Sequence, residues 1–182
     1  MGRASKKKGS TFERQVCRDL SRWITYGQHD DLFWRSAMSG GRATVRRAKG
    51  AAIRQSGDIT AVAPEGHVFT AHWFIECKWV RDLSIFAALF SSEGLLYTYW
   101  RKAVAEARKY DRAPLLIAKQ NRVPTLAIVA ETAFRGWTDV QPRLRSHILH
   151  CDIYDWEDVL SQPYLGGDDG PGVQRNRSHP AR

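Results

Sequence analysis

The stretch GDITAVAPEGHVFTAHWFIECKWV, residues 57–80, decides the fold class of this chain. The segments DITAVA and VFTAHWFIECKWV within it are rich in β-branched, aromatic and aliphatic residues, which favour strands. Pro64, Glu65 and Gly66 separate them with a turn signal, so we predict a β-hairpin. The apolar residues that precede and follow Glu76-Cys77-Lys78 indicate that the second strand is central in its sheet.

The charged residues of that second strand are the candidates for chemistry. Glu76 and Lys78 are two residues apart and therefore share one face of the strand. A charged pair in a central strand is costly unless each member has a partner. The predicted hairpin brings Asp58 toward the same end of the sheet, so two carboxylates and one amine converge at one edge. The alternative is an ordinary cross-strand ion pair between Lys78 and one of the acids.

This combination of groups is suited to hydrolysing a phosphodiester bond. The carboxylates of Asp58 and Glu76 and a nearby carbonyl, that of Cys77, are hard oxygen ligands of the kind that Mg²⁺ prefers, with Mn²⁺ as a substitute. A lysine beside them can hold or help deprotonate the attacking water and offset the charge that builds up in the transition state.

The rest of the chain supplies helices and further strands on either side of this stretch. Ser10 and Glu13 have the spacing of a capping box, and apolar residues recur at helical spacing to about residue 25. A second helix is indicated by a stripe at Leu96, Trp100, Ala103, Ala107 and Tyr110. The other predicted elements are strands over 32–37, 114–119, 125–130 and 148–154 and a short helix over 155–161. The core order α-β-β-β-α-β predicts an α/β fold, a mixed β-sheet flanked by helices, with at least one parallel pair.

The net charge of +9 is concentrated in the first third of the chain. Residues 1–57 hold 13 Lys or Arg and four acids, whereas residues 58–182 hold 15 of each. Such an asymmetry predicts a polyanionic partner, nucleic acid above all, although a solvated basic face is the alternative. The candidate DNA-binding residues are Lys6, Lys7, Lys8, Arg42, Arg46, Arg47, Lys49 and Arg54. Lys119, at a predicted strand end, is a secondary candidate for a DNA contact.

Composition also sets the domain organisation and excludes several classes of protein. We expect a flexible basic arm over 1–9, a single domain over 10–162 with a basic segment over 40–57, and a disordered Gly- and Pro-rich tail over 163–182. No apolar run is long enough to span a bilayer and the N-terminus is not a secretory signal, so we expect a cytoplasmic protein, in the host cytoplasm if the chain is viral.

The cysteines and histidines predict no metal site. The three cysteines are too far apart in sequence for a metal clip or a disulfide framework, so we expect reduced, structural thiols. The segment HILHC, residues 147–151, lacks an evident fourth ligand for zinc, so its histidines are also interpreted as structural.

The chain resembles the archaeal-type Holliday junction resolvases, a branch of the PD-(D/E)XK nuclease superfamily. The segments that carry the resemblance are KKKGSTFERQVCRDL, RSAMSGG, SGDITAV and WFIECKW, and they span about residues 6–119. The resemblance implies a restriction-endonuclease-like core and a metal-dependent DNA endonuclease that cuts branched DNA, most simply as a homodimer, because two symmetric cuts require two sites.

The resemblance also assigns roles to single residues. Asp58, Glu76 and Lys78 match the aspartate, glutamate and lysine of the superfamily signature, and Glu13 matches the glutamate of the first helix. It implies that Asp58, Glu76 and the Cys77 carbonyl bind Mg²⁺, and that Lys78 positions the nucleophilic water. It also implies that Glu13 reaches this ion or a second one, directly or through water. Ser39 matches a serine in an S-G turn near the scissile phosphate. Each has a simpler alternative, since Glu13 fits a capping box and Ser39 fits an ordinary turn.

The chain departs from the resolvase pattern at the usual Pro-Asp, which is Gly57-Asp58 here, a variant that moves no ligand. Two further departures bear on the substrate: the segment between Ser39 and Asp58 is longer and more basic than in a compact resolvase, and the chain has seven tryptophans. Three other functions therefore stay open: a restriction-like, nicking or phage DNA-processing endonuclease, a nuclease-fold DNA-binding module without activity, and a protein whose natural ligand is RNA.

Overall fold

The computed structural model describes residues 3–36 and 57–166, with side chains from residue 8 onward. Its elements are α1 (Arg3–Ile24), β1 (Phe33–Arg35), β2 (Ile59–Ala61), α2 (Pro64–His72), β3 (Trp73–Val80), α3 (Ile85–Ser91), α4 (Gly94–Arg108), β4 (Ala113–Gln120), β5 (Leu126–Ala130), β6 (Leu144–Ser146), β7 (Cys151–Asp155) and α5 (Trp156–Ser161). The α/β class is thereby confirmed.

The main sheet has five strands in the order β3-β4-β5-β7-β6. Strands β3 and β4 are parallel, because α3 and α4 form a crossover between them, and the other neighbouring strands are antiparallel. The predicted mixed sheet with a parallel pair is therefore confirmed. The prediction that the second hairpin strand is central is wrong, because β3 is at one end of this sheet.

The predicted hairpin is also wrong, because residues 64–72 form helix α2. Pro64 occupies the first turn of the helix, where its fixed φ and missing N–H are tolerated. Tertiary packing overrides the strand propensity of the segment: Phe69 is fully buried and contacts the rings of Trp23, Phe33, Trp73, Trp137 and Tyr164. Strand β2 pairs instead with β1, in a separate antiparallel two-stranded sheet.

Helix α1 begins at Arg3, well before the predicted start. Ser10 therefore lies inside the helix, and the predicted capping box is wrong. The apolar stripe of α1 is confirmed, since Phe12, Val16, Leu20 and Trp23 are buried, and the helix contacts β1 and β3. The flexibility predicted for the basic arm stays a prediction.

In the second half of the chain, the observed elements agree well with those predicted from the sequence. The predicted stripe of α4 is buried at Leu96, Trp100, Ala103 and Ala107, and β7 is followed directly by α5. Helix α3 and strand β6 were not predicted. None of the helices in residues 3–36 and 57–166 is long and apolar enough to cross a membrane.

Candidate active site

Asp58 is positioned against the outer edge of β3 by its backbone and by its side chain. Its N–H donates to the carbonyl of Ile75 at 2.8 Å, and its Oδ2 accepts the N–H of Cys77 at 2.9 Å. These bonds satisfy two backbone groups on the outer edge of β3, the Ile75 carbonyl and the Cys77 N–H, which would otherwise lack a partner strand.

Gly57 makes this close approach possible. Its φ is +80°, and a Cβ at this position would lie 2.5 Å from the carbonyl oxygen of Ile75. Proline, whose φ is fixed near −65°, cannot adopt this backbone. The replacement of the superfamily's Pro-Asp by Gly57-Asp58 is therefore tied to the way in which this chain brings Asp58 to the strand.

The Lys78 ammonium joins the predicted site groups on β3 to Asp58. Its Nζ lies 2.5 Å from Oε1 of Glu76, 3.1 Å from the carbonyl oxygen of Cys77 and 3.5 Å from Oδ2 of Asp58. The three oxygen donors predicted from the sequence thus surround a single cationic atom. Asp58 is buried, and the Glu76 and Lys78 side chains are 12% and 24% exposed, so the cluster remains reachable from solvent.

The two carboxylates share one lysine, which shifts the protonation equilibria of the cluster. Burial raises the pKa of Glu76, and the charge of Asp58 raises it further against the opposing effect of Lys78. Burial alone would lower the pKa of Lys78, but the charges of Asp58 and Glu76 outweigh it and raise that pKa. With both carboxylates ionised, the cluster holds two negative charges and one positive charge, which favours an additional cation.

The donor set suits a hard divalent cation. Two carboxylates and one backbone carbonyl are typical Mg²⁺ ligands, and the cation's other positions are usually filled by water or substrate phosphate. Within residues 3–36 and 57–166, no group of three or more His, Cys, Asp and Glu side chains is placed to hold a metal. Any cation here would therefore depend on the carbonyl of Cys77 as well as on Asp58 and Glu76. The Cys77 thiol is buried and burial raises its pKa, so it stays neutral.

Glu13 is near this cluster but has a different partner. Its carboxylate forms an ion pair and a hydrogen bond with the Arg35 guanidinium. Arg35 precedes Ser36, whose N–H donates to the Asp58 carbonyl at 2.8 Å, so this pair lies beside the Asp58 segment. Among the described residues, no contact joins Glu13 directly to Asp58 or Glu76, and its predicted role at the metal stays a prediction.

Sequence reasoning missed three residues around the cluster. Arg35 is the first residue of the segment RSAMSGG, which also contains Ser39. Its pairing with Glu13 depends on the packing of β1 against α1, which the sequence does not show. Tyr99 and Lys102, on α4, approach from the opposite side: the Lys78 Nζ is 5.9 Å from the Tyr99 ring centroid, and the charge of Lys102 acts to lower the pKa of Glu76. Only the crossover of α3 and α4 between β3 and β4 could have indicated Tyr99 and Lys102.

A cavity of about 600 Å³ lies beside this site, along α1 and β1. Ser36 is one of its lining residues and connects it to the Asp58 backbone. The charged residues that line it are Arg14, Arg18, Arg35, Asp30 and Asp31. Exposed Trp34 adds an aromatic surface to the same cavity.

Most of the predicted DNA-binding residues lie outside the described part of the chain. This applies to Arg42, Arg46, Arg47, Lys49 and Arg54, and to the side chains of Lys6 and Lys7. Ser39, predicted near the scissile phosphate, lies outside the described residues as well. Lys8 is described and donates to Asn121 Oδ1 at 2.9 Å.

The cysteines and the histidines of HILHC all lie in the described part of the chain. All three cysteines are buried and free of disulfides. His147 lies 3.7 Å from a Glu131 carboxylate oxygen, and the described residues form no metal-binding cluster around HILHC.

Comparison with known proteins identifies the superfamily. No curated protein and no solved structure matches the chain. A family model described as "Phage putative PDDEXK endonuclease" matches residues 4–159, which include Glu13, Asp58, Glu76 and Lys78. The five-stranded mixed sheet flanked by helices agrees with the restriction-endonuclease-like fold of PD-(D/E)XK nucleases. Because the match covers most of its length, the chain belongs to this family of PDDEXK endonucleases.

Proposed function

We propose that the protein is a metal-dependent endonuclease that hydrolyses phosphodiester bonds of DNA. The observation that carries the proposal is the convergence of the Asp58 and Glu76 carboxylates and the Cys77 carbonyl around the Lys78 Nζ. An isolated structural ion pair needs one acid for one base, whereas this cluster holds two acids and a carbonyl at the reachable edge of the sheet.

Asp58, Glu76 and the carbonyl of Cys77 would hold Mg²⁺, and Mn²⁺ would substitute for it. The bound ion supplies Lewis-acid activation of water and neutralises charge on the phosphate. The Cys77 N–H keeps the Asp58 carboxylate in place, and Gly57 allows the backbone approach on which that bond depends. We also propose that Glu13 supports the metal site, through water, from its position beside Arg35.

Lys78 would position the attacking water. An ammonium group has three donors and no acceptor, so it can hold a water oxygen and also donate to an oxygen of the phosphate. Lys78 is the only lysine contacting these carboxylates among the described residues. With Asp58 and Glu76 holding a cation, the Lys78 Nζ would be available to donate to the water and to a phosphate oxygen.

DNA is proposed as the substrate because of the family and the basic first third of the chain. The arginines Arg14, Arg18 and Arg35 beside the site, together with the predicted contacts in residues 1–9 and 42–54, would bind phosphates without reading sequence. Such binding is expected to weaken steeply with salt. We place the reaction in the cytoplasm, that of the host if the protein acts in phage infection.

A four-way junction is the first substrate that we propose. The resemblance over residues 6–119 favours it, and a homodimer would then supply two symmetric cuts. A restriction-like, nicking or phage DNA-processing endonuclease is the second candidate, and the description of the matched family favours it equally.

A cleavage assay on two DNA substrates tests the proposal and separates the two candidates. A labelled immobile four-way junction and a linear duplex of the same sequence are incubated with wild-type protein, with and without Mg²⁺. Paired symmetric cuts confined to the junction would support a resolvase, and equal cutting of the duplex would support general DNA processing. Tight binding without cutting in Mg²⁺ or Mn²⁺ would contradict the endonuclease and support an inactive DNA-binding module.

Two variants connect the activity to the site. Glu76→Ala should abolish cutting while leaving DNA binding in EDTA intact. Glu106→Ala is the matched control, because Glu106 pairs with Lys109 on an exposed face of α4. A fully active Glu76→Ala protein would refute the site, and stronger binding of duplex RNA than of DNA at matched salt would favour RNA as the ligand.

A further inference from the structure

A second charged cluster lies at the same end of the sheet, on the other face of β3. Lys78 and Trp79 are adjacent in the strand and therefore point to opposite faces. On the Trp79 face, the Lys8 Nζ lies 4.4 Å and the Lys119 Nζ 5.0 Å from the Trp79 ring centroid. We call Lys8, Trp79, Lys119 and Asn121 the two-lysine cluster.

The cluster is held together by contacts from three parts of the chain. Asn121 Oδ1 accepts from the Lys8 Nζ at 2.9 Å and from the Trp79 Nε1 at 3.0 Å. Lys119 is the register partner of Trp79 in the parallel pair β3–β4. The ring of Phe12, on α1, packs edge-on against Trp79 at 6.1 Å. Helix α1, the end of β3 and the end of β4 thus fix both lysines against one aromatic surface.

The two ammonium groups of this cluster repel each other. Their distances to one ring centroid place them less than about 10 Å apart, which is within a Debye length at 0.1 M salt. In the part of the chain that the structure describes, neither lysine pairs with a carboxylate. The Trp79 ring offsets part of the repulsion through cation–π attraction, but it cannot neutralise the charge.

We propose that the two-lysine cluster binds a backbone phosphate of the DNA substrate. A phosphate is the anion that a duplex crossing this end of the sheet would present, and two ammonium donors can share its oxygens. Trp79 follows Glu76 by three residues, or about 10 Å along the strand, so the bound phosphate would belong to DNA that also reaches the Asp58–Glu76 site. The inference rests on the proposed function and adds a positioning site to it.

Equilibrium binding in EDTA tests the inference without any cleavage. The affinity of wild-type protein for a labelled duplex is measured by fluorescence anisotropy at several salt concentrations, beside the double variant Lys8→Gln/Lys119→Gln. The double variant should bind roughly tenfold more weakly at 0.1 M salt, and its slope of log affinity against log salt should be smaller by about one, because the two lysines share a single phosphate. Lys109→Gln is the matched control, since Lys109 pairs with Glu106, and should bind as wild type does.

A second variant keeps both lysines and tests whether the net positive charge of the two-lysine cluster is needed for binding. Asn121→Asp places a carboxylate on the atom position that accepts from Lys8, so it should reduce the affinity and the salt slope as the double variant does. It also decides the matter if the double variant does not fold. Wild-type affinity and slope in both folded variants would overturn the inference while leaving the endonuclease intact. Absence of DNA binding by the wild-type protein would overturn the proposed function, and this inference with it.

Discussion

Two acidic residues on strands of the same sheet, Asp152 and Glu76, are both in contact with a cation but differ in how completely their charge is matched. Asp152, on β7, is almost fully buried and accepts from Arg145 Nε at 2.6 Å, from a second nitrogen of the same guanidinium at 3.1 Å and from the Thr132 N–H at 2.9 Å. One acid is bonded to one base, and both carboxylate oxygens accept hydrogen bonds. Burial opposes ionisation, but the Arg145 and Thr132 hydrogen bonds outweigh it and lower the pKa of Asp152.

Glu76, on β3, shares its only described lysine with Asp58, and its pKa is raised. The difference shows that a buried charge is not by itself a sign of function. A carboxylate whose charge and hydrogen bonds are fully matched contributes to folding. One that competes with a second carboxylate for the same ammonium has a reason to take a further cation, and that is the property expected of an active site.

The largest expected effect separates the two carboxylates by activity. Glu76→Gln removes a proposed metal ligand and should lower the cleavage rate by at least about 10³-fold, or about 4 kcal/mol of transition-state stabilisation. Asp152→Asn lies away from the cluster and should retain wild-type cleavage per folded molecule. Single-turnover cleavage in saturating Mg²⁺ measures both. Comparable losses of cleavage in the two variants would contradict the assignment of Glu76, and not Asp152, to the active site.

The second prediction concerns the glycine that brings Asp58 to β3. Gly57→Ala should destabilise the fold by about 3 kcal/mol, because the new Cβ combines a left-handed backbone with contact to the Ile75 carbonyl. Gly27→Ala is the matched control: its φ is +85°, but nothing lies within 4 Å of the added atom, so it should cost only about 1 kcal/mol. Urea denaturation measures both free energies of unfolding. Equal losses would show that the close approach to β3 adds no constraint.

The β3 site could be predicted from sequence to the extent that it depends on strand geometry. Alternation along β3 is enough to place Glu76 and Lys78 on one face, and a strand that begins near Asp58 was recognisable upstream. No local pattern in the sequence distinguishes helix α2 from a hairpin strand. The segment from Pro64 to His72 combines strand-forming residues with no helical stripe, and its helix depends on the burial of Phe69 among rings that are distant in sequence.

The contacts between elements could not be predicted from the sequence either, because they too depend on residues that are distant in the chain. Arg35 meets Glu13 only because β1 packs on α1, and Lys8 meets Trp79 only because α1 begins earlier than its apolar stripe indicated. The sequence places Lys119 at the end of a predicted strand, but its contact with Trp79 depends on the parallel register of β3 and β4. Pairing across elements is set by topology, which local patterns do not specify.

The third prediction separates the two carboxylates by stability. Asp152→Asn loses charge-assisted hydrogen bonds at a buried position and should lower the free energy of unfolding by about 2 kcal/mol at pH 7. Glu76→Gln in EDTA should cost nothing, or stabilise by up to about 1 kcal/mol, because Lys78 then serves Asp58 alone. Urea denaturation in EDTA provides the comparison. A Glu76→Gln protein that is as unstable as Asp152→Asn would mean that the β3 cluster is a structural ion pair.

The smallest expected effect is the pH dependence, and it should have opposite signs at the two sites. The lowered pKa of Asp152 means that its contribution to stability is complete above the unfolded value of about 3.9 and is lost only as the pH falls further, through the folded pKa. The raised pKa of Glu76 means that its charged form is destabilised in the folded protein at neutral pH. This penalty is relieved as the pH falls through the folded pKa toward the unfolded value of about 4.3. In EDTA, the advantage of Glu76→Gln over wild type should therefore shrink as the pH falls from 7 toward that unfolded value. The deficit of Asp152→Asn should stay constant over that range and decrease only below about pH 4. If Glu76→Gln were instead less stable than wild type by an amount that stays constant down to about pH 4, Glu76 would be a matched carboxylate like Asp152, and the cluster at β3 would have no reason to take up a metal ion.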